Sequence, residues 1–287
     1  MPSRNARFGG CVIIALLLFA AVVAVAIGGF SWFAAQWQPA PVPGQQRCVA
    51  TAGDNSTTIT LEQAHYASII AGLSVRRDLP PRAASIALAT AYQESDIRNL
   101  DYGDRDSVGL FQQRPSQGWG TERQLMDPHY ASGEFYDALV KIKNWRQRDI
   151  NDVAQAVQIS GHPEAYRDHE TDARVLASTL TGQTPAGFTC LDRTGADGDA
   201  KKLAAALTKT FGADAKATRD GKVLTIAADT TEHAWAYGTF AVANSAQYGT
   251  VQVLVGDRQW DTDSMTMPSW VDAERPLEAK QIKITVR

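Results

Sequence analysis

Glu94 closes an apolar stretch, Ile86-Ala-Leu-Ala-Thr-Ala-Tyr-Gln-Glu-Ser95, and is the residue of this chain best placed to do chemistry. A carboxyl group there has hydrophobic neighbours on one side and faces the negative end of a helix dipole. Both effects raise its pKa toward what a general acid near neutral pH requires. A plainer reading is a helix-end glutamate that is solvated or paired with Arg98 four residues on. Asp101, Asp104 and Asp106 add three more carboxylates within twelve residues of Glu94. Asp104, Asp106 and Gly109 make a fragment of a calcium loop whose further ligand positions are missing. His162, His169 and Glu170 do not have the spacing of a zinc-protease motif. Neither a metal nor any other cofactor is implied.

The elements that must position Glu94 read as helices. Thr60 with Gln63 three residues on makes a capping box, and Leu61, Ala64, Ile69 and Leu73 supply a buried face. That helix must stop by Asp78, because Leu79 precedes a proline. Pro81 suits the first turn of an alanine-rich helix running to about Ser95. Asp127-Pro128 opens a third helix, carrying Phe135, Leu139, Ile142 and Trp145. Asn151 is the expected cap of a fourth, and Pro163 opens a fifth that ends near Gly182. No strand pattern interrupts residues 60–182, so this segment is expected to be all-α or nearly so.

The pairing of Glu94-Ser95 with Gly109-Leu110-Phe111-Gln112, some fifteen residues later, resembles the lytic transglycosylase and goose-type lysozyme superfamily. The resemblance covers about residues 60–182 and implies a mainly α, lysozyme-like domain that cleaves the glycan strands of peptidoglycan. It implies that Glu94 protonates the glycosidic oxygen between the two amino sugars and then acts as base. Ser95 would help to orient it, Gly109 would let backbone approach the glycan, and Gln112 would hydrogen-bond the sugar. One acid suffices if the sugar's own primary hydroxyl attacks the anomeric carbon, giving an anhydro product. A hydrolytic route would need a second carboxylate to activate water, for which Asp101, Asp104 and Asp106 are the candidates. Phe111 stands where the family usually has methionine, and Gln113–Gly120 does not follow the common continuation. The family's later Ala-Tyr-Asn segment, whose tyrosine lies near the catalytic acid, is absent as such. Its counterpart is Ala156-Val-Gln-Ile-Ser160 with Tyr166 further on, which makes Gln158 and Tyr166 the remaining substrate-binding candidates. The alternative is a non-catalytic envelope protein that keeps the fold to bind glycan or a partner.

The remainder of the chain says where this domain works. Arg4 and Arg7 precede an uncharged apolar run from Cys11 to Ala35, and no further charge appears until Arg47. Such a run spans a bilayer, with the N-terminus in the cytoplasm and the rest outside. A cleaved signal peptide, with Ala24-Val25-Ala26 as its processing site, is the rival reading, and both export the chain. Residues 1–35 are thus read as cytoplasmic N-terminus and anchor, and 36–59 as a proline-rich linker. After the helical domain at 60–182 comes a second linker, 183–198, and a small α+β domain at 199–287 with no chemistry of its own. That domain is expected to hold a helix near Ala200–Phe211, strands at Lys222–Ala227, Thr250–Val255 and Ala279–Val286, and a helix over His233–Tyr248. It is a candidate surface for an envelope protein partner. Cys48 and Cys190 flank the helical domain and suit a disulfide in an oxidising compartment; two unpaired thiols are the alternative. A net charge of -3 gives no electrostatic footprint for nucleic acid.

Overall fold

In the structure, a computed structural model, residues 45–158, 164–263 and 265–287 are described. The expected anchor and proline spacer lie outside them, as do His162 and Pro163. Among the described residues no helix is long and apolar enough to cross a membrane.

Thr60 caps as its sequence requires. Its Oγ1 accepts from the Gln63 amide at 3.1 Å, while Gln63 Oε1 accepts from the Thr60 amide at 2.8 Å. Helix α1 (Leu61–Arg76) follows and ends at Arg77, just before the Leu79-Pro80 step. Pro81 occupies the first turn of α2 (Pro81–Ser95), where its missing N–H costs nothing. Alanines dominate α2, and ten of its fifteen residues are buried, so neighbouring helices approach it from several sides. A short helix α3 (Glu122–Leu125) leads into α4 (Pro128–Leu139), whose N-cap Asp127 accepts from the His129 amide. Phe135 and Leu139 are buried on α4 as expected, but Ile142 and Trp145 lie in the turns after it.

Helix α5 (Ile150–Gln158) is capped by Asp149, whose Oδ1 accepts from the Asn151 amide at 3.0 Å. The expected cap Asn151 lies inside the helix and is buried. Both residue types suit the role, and the choice follows from where the chain turns. Helix α6 (Glu170–Leu180) packs against α2 and is followed at Gly182 by a backbone with φ of 80°.

Two stretches read as linkers contain strands. β1 (Arg47–Ala52) and β2 (Asn55–Ile59) form a hairpin, and β3 (Phe188–Leu191) adds to β1, so the sheet order is β2-β1-β3, all antiparallel. Cys48 lies directly opposite Cys190 in this register, and the two are joined by a disulfide across 142 residues of sequence. The inward positions of the hairpin are Cys48, Ala50, Thr57 and Ile59. Small and hydroxylic side chains carry most of that alternation, which is why it does not stand out as a strand pattern.

The C-terminal portion contains the expected elements and three further strands, and the helix expected over His233–Tyr248 is split at Asn244. Helices α7 (Ala200–Phe211), α8 (Thr231–Ala243) and α9 (Ser245–Tyr248) accompany β4 (Thr218–Asp220), β5 (Val223–Ala227), β6 (Thr250–Val255), β7 (Arg258–Asp261), β8 (Val271–Asp272) and β9 (Gln281–Val286). The six strands form one antiparallel sheet in the order β4-β5-β9-β6-β7-β8. Trp235, Tyr237 and Phe240 of α8 are core residues. Helix α8 touches β6 and β9 on one side and α1, α6 and β3 on the other, so the sheet and the helices share one core. Gly44–Arg287 is accordingly one compact unit.

Removing the disulfide as Cys48→Ala with Cys190→Ala should lower unfolding stability by about 2–5 kcal/mol in denaturant titration. An unchanged midpoint would mean that the sheet holds the chain ends without it.

Candidate active site

The end of α2 is fixed by its neighbours. Asp96 and Ile97 both take positive φ (55° and 51°), which stops the helix and turns Ile97 into the core. From α1, Gln63 Nε2 donates to Asp96 O at 2.9 Å. One residue of the capping box therefore also holds the terminus that carries Glu94.

Glu94 is half-buried on the last turn of α2. Tyr166, in a short 3-10 turn over Ala165–His169, is fully buried and donates its hydroxyl to Glu94 Oε1 at 2.7 Å. Gln158, the last residue of α5, hydrogen-bonds the same carboxyl group and donates from Nε2 to Phe111 O at 2.7 Å. Burial pushes the Glu94 pKa up, and the bonds from Tyr166 and Gln158 offset part of that rise. Among the described residues no ion pair joins Glu94 to Arg98, so the pairing half of the plainer reading is not made, while the carboxyl group keeps part of its solvent exposure.

Ser95 does not touch this carboxyl group. Its hydroxyl is buried, 2.7 Å from Leu110 O and 3.1 Å from Ala91 O. It ties the helix end to the turn that follows, which gives the fifteen-residue interval between Ser95 and Leu110 a structural purpose. That turn is a tight hairpin in which Val108 and Gln113 exchange two backbone hydrogen bonds of 3.1 Å. Gly109 (φ 79°) and Gln112 (φ 46°) supply its left-handed positions. A Cβ on Gly109 would sit 2.6 Å from Leu125 O, so the close approach at this glycine is to the protein's own backbone.

Gln112 is half-buried and engaged within the loop before it. Its Nε2 lies 3.2 Å from Tyr102 O and 3.3 Å from Gly109 O, and its Oε1 accepts from Ser107 Oγ at 3.1 Å. Asp106 is likewise committed. It accepts from Arg114 Nε at 2.7 Å, from the Ser116 amide at 2.8 Å and from the Ser116 hydroxyl at 3.0 Å. The Arg114 guanidinium and these donors hold Asp106 ionised, well below the usual carboxylate range. Asp104 is almost fully exposed. The structure thus brings Glu94, Gln158 and Tyr166 together, with Ser95 at the helix end and Gly109 and Gln112 in the turn that Ser95 holds.

Two further residues pack between α2 and the 3-10 turn. Tyr92 and His169 stack face to face, centroids 5.1 Å apart and planes within 2°, and His169 Nε2 lies 3.2 Å from Gln93 Oε1. Burial pushes Tyr92 up to about 12 and His169 below its ordinary value. No spacing signal in the sequence links His169 to Tyr92. Among the described residues no three His, Cys, Asp or Glu side chains converge as metal ligands.

No protein-family model matches the chain, and no curated protein does. The chemistry must therefore be argued from geometry: a half-buried carboxyl group with a raised pKa, oriented by a phenol and an amide.

Gly109→Ala should destabilise the protein by about 2–4 kcal/mol, since it adds a backbone clash to the strain of positive φ. Gly118→Ala, at φ 83° with nothing within 4 Å of the added carbon, should cost only about 1 kcal/mol. Equal losses in thermal or denaturant unfolding would refute the packing role assigned to Gly109.

Proposed function

We propose that this chain is a peptidoglycan-cleaving enzyme of the lytic transglycosylase type, in which Glu94 is the general acid and base. The observation that carries this reading is the 2.7 Å hydrogen bond from the buried Tyr166 to Glu94. The resemblance calls for a tyrosine beside the catalytic acid, yet the segment that should supply it has Gln158 in its place. Tyr166, eight residues further on, brings a phenol to the same carboxyl group, and Gln158 adds a second donor.

The geometry suits proton transfer. A protonated Glu94 has a raised pKa and can give its proton to the leaving glycosidic oxygen, then take one back from the attacking hydroxyl. Tyr166 fixes the rotamer and stabilises the carboxylate left after the first transfer. With Asp106 held in its pair with Arg114 and both Asp101 and Asp104 exposed to solvent, an internal attack by the sugar's own hydroxyl, which needs one acid only, is the favoured route. The Cys48–Cys190 disulfide supports an extracytoplasmic location, since such bonds persist in oxidising compartments. The proposed N-terminal anchor would hold the enzyme at the membrane, facing the wall.

The purified chain, incubated with murein, should release anhydro-muropeptides, and Glu94→Gln should reduce that release by about 10²- to 10⁴-fold. Binding to murein without turnover, or release undiminished in Glu94→Gln, would refute catalysis; binding alone would favour the non-catalytic reading.

The pH profile separates the role of Tyr166. A reaction that needs protonated Glu94 slows as pH rises through its pKa. Removing the Tyr166 hydroxyl takes away a donor that favours the ionised form, so the pKa rises. Tyr166→Phe should therefore move the alkaline limb of kcat/KM to higher pH. A limb that stays put or moves down would contradict the role given to Tyr166.

A further inference from the structure

A cavity of about 380 Å³ lies away from Glu94, where α1 and α4 meet α7, α8 and α9. That volume falls within the range of small-molecule sites, which are mostly apolar with a few convergent polar groups. Ile69, Pro128, Ala206, Phe240 and Tyr248 supply apolar wall. The polar lining is basic or neutral: His65, His129, Lys202, Lys209 and Thr210, with no carboxylate among the lining residues.

The two histidines are set up by their partners. Asn244 is fully buried and donates from Nδ2 to Ser68 Oγ at 2.9 Å and to Phe240 O at 2.8 Å. Its Oδ1 must therefore accept, and His65 Nδ1, 2.5 Å away, carries the proton. His65 Nε2 is left as the acceptor nitrogen of a neutral ring. His129 Nε2 lies 3.0 Å from Thr210 Oγ1, and burial pushes its pKa down to about 4, so it too is neutral at pH 7.

The positive charges stand at the mouth. Lys202 and Lys209 are well exposed and pair with Asp199 and Asp127, each at 3.1 Å. Exposed pairs of this kind contribute little and exchange partners readily. Both ammonium groups can turn to an anion held at the cavity entrance, where a charge-assisted hydrogen bond is stronger than a neutral one.

We propose that this cavity is a binding site for a small amphiphilic carboxylate. Its apolar body would lie against Phe240, Ile69 and Tyr248, and its carboxylate at Lys202 and Lys209. The site does not depend on the function assigned to Glu94.

Calorimetric titration of the full chain in phosphatidylcholine nanodiscs, with empty discs as reference, tests this with sodium octanoate as probe. Octanoate should bind at one site per chain, and octanol about tenfold more weakly, because it lacks the charge. Lys202→Gln with Lys209→Gln should weaken octanoate by about tenfold and leave octanol unchanged. Ala205→Trp, at an exposed position of α7 lining the mouth, should abolish binding of both while leaving the thermal unfolding midpoint near wild type. Octanol binding as tightly as octanoate, inorganic phosphate displacing octanoate at equal concentration, or Ala205→Trp binding like wild type would each overturn the proposal.

Discussion

A helix buried over most of its surface has few places where a carboxyl group can sit. In α2 the alanines allow close packing by α1, α5 and α6, and an ionisable group within that packed length would need a compensating partner. The last turn is the exception, because the chain reverses there at Asp96 and Ile97 and one side opens. Glu94 occupies that turn. It is buried enough for its proton to be held more tightly than in water, and exposed enough to need only two neutral donors as partners.

The surrounding structure serves to keep that end in place. Gln63 reaches across from the start of α1 to the Asp96 carbonyl, and Ser95 grips the Leu110 carbonyl. Gly109 and Gln112 make the turn in which Leu110 and Phe111 descend into the core, where Phe111 stacks on Phe135 of α4. Gln158 then joins the Phe111 carbonyl to Glu94 from the far side. The site is a closed loop of contacts among α1, α2, α5 and the Gly109–Gln112 turn. The disulfided three-stranded sheet and α8 lie behind it and join it to the C-terminal sheet.

Much of this was legible from residue types and spacing. The Thr60–Gln63 box, the Leu79-Pro80 stop and Pro81 at the head of α2 are local effects, set by groups within a few residues, and they appear where expected. So does β6 over Thr250–Val255, where alternation leaves little choice. The strands β1, β2 and β3 were not legible, because Cys48, Ala50 and Thr57 mark an inward face without the bulk that makes a pattern visible. The bond between Tyr166 and Glu94 joins residues 72 apart, and nothing local signals it. Ser95 and Gln112 stand beside the site as the motif spacing suggested. Their hydrogen bonds go to backbone carbonyls and to Ser107, so they build the loop next to the acid.

The account rests on Glu94 being a carboxyl group that keeps its proton beyond the range of an ordinary glutamate. Carbon-13 NMR titration of the side-chain carboxyl carbons, with Glu94→Gln to assign the signal, measures this directly. Glu94 should titrate above the ordinary value of 4.5. A midpoint at or below 4.5 would contradict it, because a carboxyl group so easily ionised could not serve as the acid this site is built to hold.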